Sequence, residues 1–303
     1  FKIALPKIAK EAGIQELRSS PSWSPDSSQM VMNNHGDLLI IDIVGKTSKI
    51  IKSQVAIRDN HINITKKGRD MLISPFEIGS TYWNADGNIY YTAFDEDVVA
   101  LHRLNIETNN DQIVRQANNI VNIHSSDPLG KWLYISEYEW STKRNKDDHF
   151  NKSYFLNTET NQILDMSDEE ISMLVWSPTG EYIAHSNPGW MTEPTFQEFP
   201  AKIFNLKSKQ SFNVTDIVRS ALQKKGVDLD DKVLVVVIKD FLDGDDKVLV
   251  KITLESRGNI YIPRQINGIL DIGSDELKVL QDYPEESYQT HKGGRIEPYR
   301  IIW

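Results

Sequence analysis

The stretch that decides the fold is Trp23-Ser24-Pro25-Asp26-Ser27-Ser28-Gln29-Met30-Val31, in which an aromatic residue and a Pro-Asp turn precede an alternating apolar run. The chain repeats it almost completely as Trp176-Ser177-Pro178-Thr179-Gly180-Glu181-Tyr182-Ile183-Ala184. A third copy is Trp83-Asn84-Ala85-Asp86-Gly87-Asn88-Ile89-Tyr90-Tyr91, in which Ala85 replaces the Pro and the turn contains Gly87. Pro-Asp and Asp-Gly pairs supply the preset or positive φ angles of tight hairpins. Each copy therefore predicts a turn that leads into a strand, with its aromatic residue filling the gap between neighbouring sheets.

A second repeated unit follows each of these turns and consists of a strand that carries an Asp or Asn before a polar turn. We expect this side chain to accept hydrogen bonds from the turn. The five copies are centred on Asp42, Asn105, Asn157, Asn205 and Asp271. Their spacing of about 50 to 65 residues fits β-propeller blades of about 40–50 residues, some of them with insertions.

Short runs rich in β-branched and aromatic residues fill the intervals, which is typical of an all-β fold. The turns of the third and fifth blades, at Asp127-Pro128-Leu129-Gly130 and near Asp243-Gly244, lack the tryptophan and are degenerate. We predict a single propeller domain, residues 1–303, made of four-stranded antiparallel blades. Six blades are favoured, with five or seven left open, and the sixth would join residues 1–5 to residues 287–303.

The Trp-Ser-Pro turns, each followed by the strand with its Asp or Asn, resemble the WSPDG (PD40, WD40-like) repeats of TolB-like propellers over residues 17–280. That family includes periplasmic TolB, the propellers of prolyl-oligopeptidase-type peptidases and the extracytoplasmic parts of some membrane-anchored regulators. The resemblance implies a propeller fold and favours a periplasmic or otherwise extracytoplasmic location. It brings no catalytic residue, because the hydrolase half of the peptidases is not in this sequence. Ser27, where the repeat has Gly, departs from the pattern.

Composition excludes several classes of function. The formal net charge is −9 and no basic tract is present, so nucleic acid is not an expected partner. No apolar run approaches the ~18 residues of a membrane helix, so we expect no direct membrane insertion of this segment. The chain has no cysteine, which excludes disulfides and thiolate sites. Its start at Phe1 rather than Met leads us to expect export from the cytoplasm.

The segments that interrupt the repeat are the best functional leads, because loops on a rigid scaffold tend to carry function. Residues 140–152 are highly charged, and residues 187–200 carry three aromatic residues and three prolines. Residues 216–225 predict a short amphipathic helix with Thr215 or Asp216 as N-cap and Gly226 as C-cap, and residues 53–74 predict an extended connection. Exposed aromatic residues are typical binding anchors, although they could also fold back onto the propeller. The predicted partner-binding residues are Trp140, His149, Trp190, Phe196 and Phe199.

Motifs of known chemistry are not found, and we assign no catalytic residue and no cofactor. Asp240, Asp243 and Asp245 could bind a hard cation such as calcium, but an acidic hairpin turn explains them as well. The sequence therefore favours a non-enzymatic interaction, sensory or scaffold module that binds a protein through its insertions or central channel. The alternative is a propeller enzyme, a glycan lyase or hydrolase, that uses channel histidines and acidic residues with a divalent metal.

Overall fold

The computed structural model describes most of the repeat region. The described residues are 21–34, 37–52, 62–66, 69–73, 80–95, 98–117, 120–138, 152–166, 171, 173–186, 200–230, 232–242, 244–256, 261–262, 264–283 and 286–287. The chain divides into two compact units, Phe1–Glu170 and Ile171–Trp303, and each is described by itself. No helix in these ranges is long and apolar enough to cross a membrane.

The first unit contains three four-stranded antiparallel sheets, and in each of them strands that follow one another in the chain are neighbours. Sheet 1 is β1 (Ser22–Trp23), β2 (Gln29–Asn34), β3 (Asp37–Asp42) and β4 (Thr47–Lys52). A two-stranded hairpin follows, β5 (Ile62–Lys66) and β6 (Arg69–Ile73). Sheet 2 is β7 (Thr81–Trp83), β8 (Ile89–Asp95), β9 (Val98–Asn105) and β10 (Asn110–Ala117). Sheet 3 is β11 (Ile120–Ser126), β12 (Trp132–Tyr138), β13 (Lys152–Asn157) and β14 (Ile163–Asp165).

The second unit contains two further four-stranded sheets and a helix. Sheet 4 is β15 (Met173–Trp176), β16 (Tyr182–Ser186), β17 (Lys202–Asn205) and β18 (Ser211–Asn213), and the helix α1 (Val214–Lys224) follows directly. Sheet 5 is β19 (Lys232–Leu242), β20 (Lys247–Ser256), β22 (Arg264–Asp271) and β23 (Glu276–Tyr283). A short pair, β21 (Tyr261–Ile262) and β24 (Glu286–Ser287), completes the unit. These five sheets confirm the all-β propeller architecture of four-stranded antiparallel blades, and a sixth blade stays a prediction.

Apolar side chains pack neighbouring sheets together within each unit. Tyr91 belongs to a core cluster shared by sheets 1 and 2, while the next residue back, Tyr90, belongs to the cluster of sheets 2 and 3. The two tyrosines separate because successive side chains of a strand point to opposite faces. In the second unit, Val214, Val218, Ala221 and Leu222 of α1 are buried in one cluster with strands of sheets 4 and 5. Burial of apolar surface is thus what joins sheet to sheet.

The repeated tryptophan has the predicted role in one copy. Trp83 is buried in the cluster between sheets 1 and 2, and its backbone N–H donates to the Ser22 hydroxyl of sheet 1 at 2.8 Å. Trp23 differs, because 43% of its side chain is exposed and it fills no such gap among the described residues.

Each four-stranded sheet has two unlike ends. The turns between its first and second strands and between its third and fourth strands lie at one end, here called the turn end. The connection between the second and third strands, and the connection to the next sheet, lie at the other, here called the loop end. All five second-to-third connections include residues outside the described ranges. The two insertions that carry the predicted partner-binding residues are connections of this type. Residues 139–151 lie between β12 and β13, and residues 187–199 lie between β16 and β17.

The turn end repeats in detail. The predicted Asp or Asn ends the third strand of every sheet, and its side-chain oxygen accepts backbone N–H groups of the following turn, for example those of Glu159 and Thr160 on Asn157 at 3.1 and 2.9 Å. Asn105 and Asn205 accept the same two bonds, and Asp42 and Asp271 accept the second of them, from the N–H three residues further on. One residue of each of these turns has a positive φ between 52° and 59°, namely Lys46, Asn109, Asn161, Lys209 and Asp275. The prediction that these side chains cap the turns is confirmed.

Two predictions for the interrupting segments need correction. The helix begins earlier than predicted: its N-cap is Asn213, whose side chain accepts the Asp216 N–H, and Thr215 lies inside the helix. The C-cap is Lys225, and Gly226 follows it with φ of 76°. Residues 53–74, predicted as an extended connection, contain the β5–β6 hairpin. Its alternation of polar and apolar residues, such as Asn63-Ile64-Thr65, was hidden by the polar composition of the segment.

Candidate functional site at the loop end of sheet 3

The predicted partner-binding residues all belong to loop-end connections. Trp140 and His149 lie between β12 and β13, and Trp190, Phe196 and Phe199 lie between β16 and β17, outside the described residues. Their roles stay predictions. What the structure adds is their place in the topology, because the two insertions stand at the same position in two different sheets.

The predicted cation position near the β19–β20 turn is described only in part, because Asp243 lies outside the described residues. The Asp240 carboxylate accepts the Phe241 N–H at 2.9 Å. The Asp245 carboxylate accepts the Thr179 hydroxyl, which joins this turn to the turn of sheet 4. In the part of the chain that the structure describes, no three His, Asp or Glu side chains form a group that could hold a metal ion. Calcium at this turn stays a prediction.

His102 and His124 each have a polar partner at a defined distance. His102 stacks on Tyr91, with ring centroids 4.7 Å apart, and its Nδ1 lies 3.3 Å from Asp111. The Nε2 of His124 lies 2.6 Å from the Ser136 hydroxyl. Burial of its ring lowers the pKa of His124, although part of the residue remains exposed. The Ser136 hydroxyl belongs to a residue with no exposed surface, so this pair lacks the access that a nucleophilic serine needs.

The most developed polar site lies at the loop end of sheet 3, on both sides of the 139–151 insertion. Glu137 is the last residue but one of β12, and only 3% of it is exposed. Its Oε1 accepts hydrogen bonds from the Tyr154 hydroxyl at 2.8 Å and from Arg115 Nε at 3.1 Å. Arg115 comes from β10 of sheet 2, and its guanidinium lies 5.1 Å from the centroid of the Tyr154 ring. We call these three residues the stem clamp, because Glu137 and Tyr154 flank the insertion.

The clamp is a charged pair in a largely buried place. Burial by itself lowers the pKa of the Arg115 guanidinium, but Tyr154 and Glu137 more than offset that effect, and the pKa is raised. Burial, followed by the neighbouring Glu137 charge, raises the pKa of the Tyr154 hydroxyl well above its usual range. Tyr154 is therefore a hydrogen-bond donor to Glu137 at every physiological pH. A buried carboxylate needs such partners, because an unpaired charge in an apolar interior is very costly.

A second ion pair joins sheets 1 and 2. Asp111 of β10 accepts from Lys52 of β4 at 2.6 Å and from the Tyr91 hydroxyl at 2.8 Å, with His102 on its other oxygen. Burial alone raises the pKa of the Asp111 carboxyl, but hydrogen bonds from His102, Lys52 and Tyr91 prevail and hold it far below its usual range. The strand β10 thus bonds sheet 1 through Asp111 and sheet 3 through Arg115.

A β-bulge makes this double role of β10 possible. Side chains four residues apart on a regular strand share a face, so Asp111 and Arg115 would both point to sheet 1. The pairing of β10 with β9 jumps from Ile113–His102 to Arg115–Leu101 and leaves Val114 as an extra residue. An extra residue reverses the alternation beyond it, so Arg115 reaches sheet 3 instead. The outer strands β4 and β23 have the same bulge at the equivalent residues Ile51 and Leu280.

Sequence reasoning missed the clamp and the bulges. The alternation Leu133-Tyr134-Ile135-Ser136-Glu137 does put Glu137 on the apolar face with Leu133 and Ile135, which was a usable signal for a buried carboxylate. Its partner could not be found in this way. The bulge at Val114 has no marker in the sequence, and without it Arg115 is assigned to the wrong face.

Comparisons with known proteins concern the fold. No family model matches the chain, and no curated protein matches it either. Among solved structures, TolB from Acinetobacter baumannii matches 88% of this chain over 55% of its own length, with 12% identity and a TM-score of 0.42. The chain resembles TolB-like β-propellers.

Two enzymes match to a similar degree. An oligogalacturonate lyase in complex with manganese covers 88% of this chain with 65% of its own length, at 9% identity and a TM-score of 0.49. Dipeptidyl peptidase 4 of Porphyromonas gingivalis covers 92% of this chain with 42% of its own length, also at 9% identity and a TM-score of 0.49. The chain spans less than two thirds of each of these three proteins. Such distant likenesses transfer no residue role to this chain.

Proposed function

We propose that the chain is a non-enzymatic propeller module that binds a protein partner through the loop ends of its sheets. The observation that supports this most is the contrast between the two ends. Each turn between the third and fourth strands is short and is closed by a hydrogen bond to its own Asp or Asn. The insertions that carry Trp140, Trp190, Phe196 and other aromatic residues all belong to loop ends, where a rigid sheet can present a variable segment.

A periplasmic or otherwise extracytoplasmic location, with a sensory or scaffold role, is part of the same proposal. It rests on the likeness of the Trp-Ser-Pro turns to TolB-like repeats. Fractionation of cells that express the full-length gene product tests it, and recovery in the cytoplasm alone would contradict it.

Photocrosslinking at the two ends of one sheet tests the binding function. A benzophenone amino acid replaces Trp140 at the loop end of sheet 3 or, as matched control, Leu129 at its turn end, where 53% of the side chain is exposed. We expect one protein to be crosslinked from position 140 in the host cell and not from position 129. Trp190→Ala combined with Phe196→Ala should lower the affinity for that protein about 30-fold or more, the effect of losing a binding anchor.

Two results would overturn the proposal. Equal crosslinking from both positions would show that the loop end has no special role. A metal-dependent cleavage of oligosaccharide, lost when His102 and His124 are replaced together, would make the enzyme alternative the main function.

Closure of the propeller by the N-terminal and C-terminal segments of the chain is a separate proposal. Met32, Leu39 and Ile41 form a buried cluster on the face of sheet 1 opposite to sheet 2, each at most 2% exposed. We propose that residues 1–5 and 287–303 join in the blade that covers this face. Removal of residues 288–303 should then lower the midpoint of thermal unfolding, and an unchanged midpoint would refute it.

A further inference from the structure

The stem clamp stands where the two strands that carry the sheet 3 insertion begin to part. Glu137 is paired with Lys152, the first residue of β13, and Tyr154 is paired with Ile135. Glu137 and Tyr154 are therefore diagonal neighbours on one face of the sheet, and their 2.8 Å hydrogen bond crosses the β12–β13 pair. Glu137 lies one residue before the end of β12, and Tyr154 lies two residues after the start of β13.

Two of the three clamp residues, Glu137 and Tyr154, do not belong to the repeat. By their pairing with the third strand, the residues equivalent to Glu137 in the first two sheets are Asn34 and Ala93. Those equivalent to Tyr154 are Leu39, His102, Lys202 and Gly268. Of the five four-stranded sheets in the described part of the chain, one has this carboxylate with this phenol, so a propeller blade does not require them. Their presence beside one of the two long insertions needs a separate explanation.

The ion pair between sheets 1 and 2 provides the comparison. Lys52 and Arg115 occupy equivalent positions, each directly after the bulged residue of an outer strand, and each reaches a carboxylate of the next sheet. Lys52 reaches Asp111, which lies on another outer strand. Arg115 reaches Glu137, which lies on the stem of an insertion. An ion pair of the same kind thus joins two outer strands in one case and joins an outer strand to a loop stem in the other.

We propose that the clamp is a positioning site that holds the β12–β13 stem in the geometry in which the sheet 3 insertion binds its partner. This inference rests on the proposed function. Glu137 closes the stem by bonding across it to Tyr154, and Arg115 fixes the closed stem to the adjacent sheet. Charge-assisted hydrogen bonds suit this purpose, because they are shorter, stronger and more directional than neutral ones.

Hydrogen exchange with matched variants tests the positioning role without knowledge of the partner. Glu137→Gln opens the clamp, and Asp111→Asn opens the equivalent ion pair away from the insertion. We expect amide exchange in residues 135–138 and 152–154 to become about tenfold faster in Glu137→Gln, which corresponds to the ~1.4 kcal/mol of one such bond. The same amides should be unchanged in Asp111→Asn. Tyr154→Phe removes only the hydroxyl and should give a smaller increase, and it remains informative if Glu137→Gln does not fold.

Partner binding gives the second measurement. Crosslinking from position 140 should fall about tenfold in Glu137→Gln and stay at the wild-type level in Asp111→Asn. Stem exchange that is unchanged in both Glu137→Gln and Tyr154→Phe, or equally faster in Asp111→Asn, would overturn the inference. If the wild-type chain gives no crosslink from position 140, the proposed function fails, while the exchange measurement still decides whether the clamp holds the stem.

Discussion

The turn ends and the loop ends of the five sheets follow opposite rules. At the turn end, each sheet has an Asp or Asn at the same position, and this side chain accepts the N–H three residues further on. A positive φ follows at the same position of each turn. At the loop end, the second-to-third connection ranges from residues 35–36 in sheet 1 to residues 139–151 in sheet 3 and residues 187–201 in sheet 4. The bonds that specify the turn end are local, so they form in the same way wherever the short motif occurs.

Local closure has a consequence for function. A turn whose backbone groups are satisfied by its own side chains offers few free groups to a partner, and it can repeat without loss to the fold. Among the described residues, the loop ends have no such repeated turn cap, and a stem there is held by contacts that are particular to one sheet. The clamp of Arg115, Glu137 and Tyr154 is such a contact.

The largest effect that we expect is at the turn end, where sheet 2 meets sheet 3. Gly130 has φ of 74°, and a Cβ there would lie 2.7 Å from the backbone nitrogen of Asp86. Its carbonyl also accepts the Asn84 side-chain N–H at 2.7 Å. Gly130→Ala should therefore lower the free energy of unfolding by about 3 kcal/mol, from the left-handed backbone and the clash together.

Gly87→Ala is the control for this change, because Gly87 has φ of 83° but open space around the added methyl group. It should cost about 1 kcal/mol, the backbone term alone. Urea unfolding of both variants gives the two values. Equal losses would mean that the close approach of the two sheets at Gly130 contributes nothing.

The next effect is at the ion pair between sheets 1 and 2. Asp111→Asn keeps the shape but removes the charge that Lys52 and Tyr91 contact, and it should cost about 2 kcal/mol at pH 7. The pKa of Asp111 is lower in the folded chain than the ~3.9 of an unfolded Asp. The stabilisation is thus complete above pH ~4 and is lost as the pH falls through the folded-state pKa.

Urea unfolding of the wild type and Asp111→Asn from pH 7 to pH 3 checks the sign. The difference between the two proteins should be constant down to pH ~4 and shrink below it. Lys52→Met, which removes the cation but not the carboxylate, is the companion variant. A difference that grows as the pH falls would contradict the assignment of Asp111 as the stabilising charge.

Much of the turn-end structure could be predicted from the sequence. The Trp-Ser-Pro turns and the residues Asp42, Asn105, Asn157, Asn205 and Asp271 predicted the sheets and their capped turns, because these features depend on a few neighbouring residues. The bulge at Val114 and the pairing of Arg115 with Glu137 depend on a partner strand that is distant in the sequence, and no local sequence pattern indicates them. The start of α1 was misplaced for a related reason, because Asn213 ends β18 and also caps the helix.

A smaller effect is expected at a single turn cap. Asn157→Ala removes the acceptor of the Glu159 and Thr160 N–H groups and should cost about 1 kcal/mol, as the loss of a helix cap does. Asn157→Asp keeps the acceptor and copies Asp42 and Asp271, so it should stay close to the wild type. Thermal unfolding of the two variants checks this. A loss in Asn157→Asp equal to that in Asn157→Ala would show that the capping bonds do not stabilise the turn.

The smallest effect has the opposite sign and concerns Ser27, the residue that departs from the repeat. Ser27 has φ of 60°, while the equivalent positions of sheets 2, 3 and 4 are Gly87, Gly130 and Gly180, all with positive φ. Ser27→Gly relieves a left-handed backbone that costs about 1–2 kcal/mol in other residues, but it also adds freedom to the unfolded chain. A net gain of about 0.5 kcal/mol should remain, and the reciprocal Gly87→Ser should lose a similar amount or more. If urea unfolding shows that Ser27→Gly is destabilised, the turn of sheet 1 is held by the Ser24–Asp26–Ser28 hydrogen bonds in a way that the repeat does not predict.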